Sequence, residues 1–278
     1  MKTELSIYKK EAWNKVSELY GDDWLKNGIS FICCNEMVKK SIPPNVNGHI
    51  KILDNACGPG SLPLNLIEYL SQKENVTFTI DACDHASKMI EKLDRNLCSK
   101  SIPNGSIKSH VMDGQNLEFP DETFDYVFSM FGLVFFPSID KGLQSMNRVL
   151  KSGGTIGIST WAYGGFIQSF FEGYRDAVGH EWDGEEIVKL STEGEVIEAM
   201  ERNGFTDIKT STYITPMVDK SVEELYYSYI EAPMFQSILG GVPEDKAMLF
   251  EKLVIEKLHL LKQKRQLVNE SIIAIGKK

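Results

Sequence analysis

The run Ile52-Leu53-Asp54-Asn55-Ala56-Cys57-Gly58-Pro59-Gly60-Ser61 carries the clearest chemical signal in the chain. An apolar segment ends in an acid, a glycine turn follows, and Leu62 to Leu70 reads as a helix with Pro63 in its first turn. Glycine permits positive φ and lets a ligand approach the backbone closely. The helix beyond presents free N–H groups and a partial positive charge. Strand, glycine turn and helix in that order form a nucleoside-binding device. A dinucleotide fold asks for G-x-G-x-x-G, whose third glycine allows close helix–strand packing. Here Gly58 and Gly60 are present and position 63 is proline. The loop by itself leaves open a dinucleotide or another adenosine-bearing cofactor.

Two further acids narrow the choice. Asp84 ends the next strand-like segment, where a carboxylate can accept hydrogen bonds from both ribose hydroxyls. The alternative is a strand-end or N-cap aspartate with no ligand. Asp81 is a rival, but it falls inside the strand. Asp113-Gly114 follows a third strand candidate, so Asp54, Asp84 and Asp113 succeed one another about one βα unit apart. Ligands of such sheets bind beyond the carboxyl ends of the strands.

The elements that must hold these acids alternate. Ile50–Asp54, Thr77–Asp84, Ile107–Met112, Phe124–Met130 and Thr155–Trp161 read as strands. Helices are expected over Ser87–Leu97 and Ile139–Leu150, the second ended by Gly153-Gly154. Val196–Arg202 reads as a helix, Ile208–Ile214 as a sixth strand, and Ser271–Ile275 as a seventh. Between those last two strands, Val222–Leu239 and Lys246–Arg265 read as two helices. Such alternation predicts an α/β fold, a doubly wound, mostly parallel sheet with helices on both faces. The first 45 residues look helical and carry Tyr8, Trp13, Tyr20 and Trp24, aromatics that either pack on the core or fold over a pocket.

The chain has 278 residues, 42% hydrophobic and 25% charged, enough for one large domain with a small lid. A net charge of -9 disfavours nucleic acid as a partner, because an acidic surface repels phosphates. Cys33, Cys34, Cys57, Cys83 and Cys98 show no C-x-x-C spacing, so neither a disulfide framework nor a metal site is expected. The N-terminus lacks a signal-like apolar run, and no stretch reaches the ~20 apolar residues of a membrane span. A cytoplasmic location is the expectation.

Taken in order, these segments resemble the class I S-adenosylmethionine-dependent methyltransferases, and most of all the ubiquinone/menaquinone-type small-molecule branch. Leu53 to Gly60 is similar to the family's first motif, and Asp84-His85-Ala86-Ser87-Lys88-Met89-Ile90 to its acidic ribose-binding motif. Asp113-Gly114-Gln115-Asn116-Leu117-Glu118-Phe119-Pro120 resembles its adenine-binding segment. Phe124 to Ser129 and Arg148 to Gly154 complete the series. The resemblance spans Ile50 to Trp161.

It implies a Rossmann-like seven-stranded sheet whose last strand is antiparallel. With the element pattern above, the expected organisation is an N-terminal helical cap over residues 1–45 and a methyltransferase domain over 46–278 with a helical insertion or lid at about 216–268. Asp54 and Gly58 would border the methionine part of the cofactor, Asp84 the ribose, and Asp113 with the Gly114 amide the adenine. Ser129 would face the methionine moiety or the substrate. Ala56, Cys57, Gly60, His85, Met89, Gln115 and Met130 complete the expected cofactor set. Ala56 stands where the family's commonest pattern has glycine, so close approach there is expected to survive if its φ is negative.

The expected function is methyl transfer from S-adenosylmethionine to a small, apolar or phenolic acceptor, leaving S-adenosylhomocysteine. A sulfonium methyl is already activated, so alignment supplies much of the catalysis and a base is needed only for some nucleophiles. Of His85, His110 and His180, the last is the candidate base. His85 reads as a lining residue and His110 as structural. The fourth strand ends in Ser129-Met130-Phe131-Gly132, not the Asn/Asp-Pro-Pro-aromatic run of amino-methylating DNA enzymes. Met130, Phe131, Leu133, Phe135, Phe136 and Trp161 read either as core or as the lining of an apolar pocket. A nicotinamide-dependent oxidoreductase and a non-catalytic cofactor-binding protein are the competing readings.

Overall fold

The computed structural model of the chain describes residues 7–21, 29–183, 188–217 and 220–278. Trp24 lies outside the described residues. Seven strands follow one another: β1 (Gly48–Asn55), β2 (Val76–Asp84), β3 (Gly105–Val111), β4 (Phe124–Met130), β5 (Leu150–Trp161), β6 (Thr206–Pro216) and β7 (Val268–Lys277). They form one sheet in the order β3-β2-β1-β4-β5-β7-β6. β1 to β5 run parallel, and β7 is antiparallel to both of its neighbours.

Strand β4 shows why a nearly unbroken apolar run sits at the centre. Side chains alternate faces along a strand. Val127 packs into the cluster around Leu143, Met146 and Val149, whereas Phe128 joins that of Met37, Leu66 and Ile52. Both faces are covered, so both need apolar residues. The first face is closed by α5 (Ile139–Val149), the second by α2 (Ile29–Ser41) and α3 (Ser61–Ser71). α1 (Lys10–Val16) and α4 (Ser87–Leu97) lie against each other near the β2 end.

The remaining helices follow β5 and β6: α6 (Gly165–Val178), α7 (Glu193–Arg202), α8 (Val222–Ile230), α9 (Pro233–Gly241) and α10 (Ala247–Gln263). α6, α8, α9 and α10 share an apolar cluster built on Phe166, Phe170, Phe235 and Phe250. A capping box between Ser221 and Glu224 starts α8.

The structure departs from the sequence reading in two elements. The expected single helix Val222–Leu239 is two helices, because Pro233 cannot donate to a preceding turn and instead opens α9 as its first residue. Three helices therefore separate β6 from β7. The pair Gly153-Gly154 does not precede the fifth strand but lies within it. The preceding helix ends at Val149 and β5 begins at Leu150, which pairs with Phe124 before the register shifts towards Tyr126. No described helix is long and apolar enough to cross a membrane.

One glycine couples the sheet to α2. A Cβ on Gly157 of β5 would stand 2.4 Å from the Met37 sulfur and 2.7 Å from the Phe128 ring, which is fully buried. Gly157→Ala should therefore lower stability by ~1–3 kcal/mol through overpacking. Gly194→Ala, in α7 with nothing within 4 Å, should be neutral or raise stability by up to ~1 kcal/mol. Urea unfolding of the pair checks both signs, and equal midpoints would contradict the packing account.

Candidate active site

The strand order reverses between β1 and β4, so their outgoing connections diverge and leave a crevice at the carboxyl edge of the sheet. A cavity of about 170 Å³ occupies it. That is far more than the ~10–15 Å³ that one water needs.

The turn after β1 forms its floor. Ala56, Gly58 and Gly60 all have positive φ, at 64°, 53° and 102°. The condition set for Ala56, a negative φ, is not met: alanine holds the left-handed conformation that a glycine would take freely, at a cost of ~1–2 kcal/mol. Its surroundings fix that turn. The Cys57 N–H donates to the Cys83 carbonyl at 2.9 Å, and a Cβ on Gly132 would fall 2.4 Å from that of Ala56. Phe131, at the end of β4, is also left-handed with φ 55°. Its N–H donates to Ser159 Oγ at 3.0 Å, and its ring stacks on Trp161 with centroids 3.9 Å apart. Two strained residues therefore face one cavity from adjacent strand ends.

Two buried acids set the electrostatics. Asp84 is pinned by backbone: the Gly58 N–H donates to Oδ2 and the Ala86 N–H to Oδ1, each at 2.9 Å. Burial pushes its carboxyl up, and those two N–H groups together with His85 pull it back. Asp54 is 1% exposed, and neither of its oxygens has a hydrogen-bond partner. Burial, then the charge of Asp84, drive its carboxyl well above the ordinary carboxylate range. A buried acceptor pair without a donor is expensive unless a ligand supplies one. A cationic group is the fitting partner.

Most of the rest of the wall is apolar. Met130, Phe131, Phe135, Phe136 and Trp161 line the cavity, whereas Leu133 is core. Trp13 and Tyr20 reach it from the N-terminal segment. Trp13 donates its Nε1–H to the Ile7 carbonyl at 2.8 Å and packs on Phe135. Burial pushes the Tyr20 phenol up. From the helices beyond β5 come Phe166, Tyr229, Met234 and Phe235, and from β7 comes Asn269. None of these last five was singled out in the sequence. Pro233 was the one local signal near them, and Asn269 gave none.

Of the expected cofactor set, Asp54, Ala56, Cys57, Gly58, Asp84, His85, Met89, Gly114 and Met130 line the cavity. Gly114 leaves no room for a side chain, since a Cβ would meet Asn55 Oδ1 at 2.2 Å. Gly60 stands behind the wall as the residue from which α3 starts. Asp113 is exposed and accepts from the Gln115 N–H at 2.9 Å, while Gln115 Oε1 accepts from the Ser138 N–H. Ser129 is fully buried with its Oγ unpartnered, off the cavity wall. His180 is the clear correction. It is exposed past the end of α6, with Nδ1 2.8 Å from the Glu181 carbonyl oxygen, outside the cavity. Asp81, the rival of Asp84, is engaged by His110 Nε2 at 2.7 Å, away from the wall.

Residues 52–154 match the family described as Methyltransferase domain. Methyltransferase tpcH of Aspergillus fumigatus is 26% identical over 148 residues, 53% of this chain and 47% of that protein. The Ubiquinone/menaquinone biosynthesis C-methyltransferase UbiE of Rickettsia massiliae is 30% identical over 171 residues, 59% of this chain and 65% of that protein. The chain thus spans less than two thirds of the length of these relatives. Phosphoethanolamine N-methyltransferase 2 of Haemonchus contortus, solved with S-adenosyl-L-methionine, matches the fold with a TM-score of 0.59 at 18% identity. That match covers 100% of this chain and 58% of the other.

Asp54 makes the free protein's stability depend on pH. Its folded pKa lies above the ~3.9 of an unfolded aspartate, so the folded chain keeps a proton that the unfolded chain releases. The penalty is nil below about pH 4 and grows as pH rises towards the folded pKa. Asp54→Asn, with no charge to bury, should raise Tm over wild type at about pH 8, and the gain should vanish towards about pH 4. Scanning calorimetry across that range checks this. A gain independent of pH would contradict it.

Proposed function

We propose that this chain, built on the class I methyltransferase fold with a methyltransferase domain over residues 52–154, transfers a methyl group from S-adenosylmethionine to a small apolar or phenolic acceptor. The observation that carries the reading is Asp54: a buried carboxyl group whose oxygens have no partner, on the wall of the cavity at the sheet's switch point. An amino acid's ammonium group is the donor such a carboxylate lacks. The Haemonchus contortus relative, solved with that cofactor, supports the same choice.

The residues present fit the cofactor. Asp84 already has both oxygens oriented by backbone N–H groups, and its remaining lone pairs can accept from a pair of vicinal hydroxyls. Met89, Met112 and Gly114 line the same cavity and would offer an apolar surface to the base. When bound, S-adenosylmethionine supplies a methyl group activated by its sulfonium charge. The two carboxylates favour a positive ligand in this cavity. Phe131, Trp161 and Phe166 give an apolar wall to the end where an acceptor would sit, a surface that disfavours water. Holding acceptor and methyl in line is then the protein's main contribution.

The acceptor faces that aromatic end. The cavity wall beyond the acids is dominated by rings and thioethers, contributed by the N-terminal segment, β5 and the helices between β6 and β7. This composition favours a flat apolar compound over a nucleic acid. The N-terminal segment and helices α8–α10 act as cap and lid in this reading.

Calorimetric titration separates the candidates. S-adenosylhomocysteine should bind and NADH should not. Asp84→Ala should weaken the former by ~1.5–3 kcal/mol, about 10- to 150-fold, while Asp81→Ala should change it by less than about twofold. Tight NADH binding without S-adenosylhomocysteine binding would return the oxidoreductase reading. Binding with no transfer of a labelled methyl group to any component of a cell extract would favour a non-catalytic role.

A further inference from the structure

Buried polar atoms without partners occur at several places among the described residues, but on the cavity wall they belong to two side chains. One is Asp54, on β1. The other is Asn269, the second residue of β7, which is 5% exposed and whose Oδ1 accepts no hydrogen bond. β1 and β7 are separated in the sheet by β4 and β5. Three strand spacings put the two strands ~14 Å apart. One donor group cannot satisfy both acceptors.

Asn269 is also rigidly held. It pairs with Thr215 of β6, and two residues later Ser271 pairs with Trp161 at the end of β5. Its side chain shares a hydrogen bond with the hydroxyl of Tyr229 on α8, whose phenol burial pushes up to about 12. Both groups are neutral at physiological pH, unlike the acids at the other end of the cavity. Around them stand Trp161, Phe166 and Phe235. A single unmet acceptor among these rings discriminates strongly. A ligand with a donor satisfies it, and a ligand without one leaves it buried and unpaired.

We propose that Asn269 is a specificity-determining residue, its Oδ1 receiving the hydroxyl or N–H of a flat apolar ligand, with phenols as the ligand class. As an acceptor site for methyl transfer this rests on the function proposed above. As a binding site it stands on the cavity alone.

The test uses the full-length protein without cofactor and two probes, 2-naphthol and its methyl ether 2-methoxynaphthalene, which differ by the donor. Quenching of tryptophan fluorescence reads binding, since Trp13 and Trp161 line the cavity. The wild-type protein should prefer the naphthol by about tenfold or more. Asn269→Leu and the smaller Asn269→Ala, each verified by a cooperative thermal transition, should reduce that preference to about twofold or less. No preference in the wild type, whether both probes bind alike or neither binds, overturns the proposal. So does a preference that survives in a folded variant. Adenosylhomocysteine titrated into the same wild-type sample reads the other end independently. Its failure to bind would sink the methyltransferase reading and leave the naphthol result decisive for Asn269.

Discussion

The hydrogen bond from the Gly58 N–H to Asp84 Oδ2 is the constraint on which the site depends. It ties the turn after β1 to the end of β2, and the Cys57 N–H bond to the Cys83 carbonyl repeats the tie one residue earlier. To make both, the chain must turn through left-handed conformations at Ala56, Gly58 and Gly60. That turn starts α3 at the cavity and leaves the Asp84 carboxylate aimed along the strand ends. It also brings the Ala56 Cβ against Gly132, so the β4 connection has room only for glycine there. The strain at Ala56 and Phe131 is held by the sheet on either side of the switch point.

From that anchor the cavity divides by chemistry. The end over β1 and β2 carries two buried carboxylates, one satisfied by backbone and one not. The end over β5 and β7 is aromatic with a single neutral amide. Charge at one end and apolar surface at the other is what a cationic cofactor and an uncharged acceptor each require. Neither end is closed by the sheet alone. The N-terminal residues Trp13 and Tyr20 and the helices after β6 complete the wall, so segments more than 200 residues apart meet over one crevice.

The sequence displayed the first end well and the second poorly. Acids at strand ends are local signals: Asp54 and Asp84 are bounded by an apolar run on one side and a glycine or helix start on the other, and β4 and α4 have the bounds their patterns predict. The aromatic end is assembled from distant elements, and nothing local marks Asn269 or Tyr229 as neighbours. Even there a signal was available, since Pro233 divides what reads as one helix into α8 and α9. The φ of Ala56 was not legible, because backbone sign at a non-glycine residue is decided by the contacts of Cys57 and Gly132 rather than by its own type. His180 failed for the opposite reason: its place after a helix suggested a pocket, but α6 ends facing solvent.

The most direct measurement is the proton exchange that accompanies cofactor binding, read by calorimetry of S-adenosylhomocysteine in buffers of different ionisation enthalpy. Asp54 holds its proton more strongly than an ordinary carboxyl in the free protein and must ionise to receive an ammonium group. The account predicts net proton release above about pH 4, between the ordinary carboxyl range and the raised Asp54 of the free protein, lost in Asp54→Asn. Binding without proton release in that range, or release that persists in the variant, would contradict it.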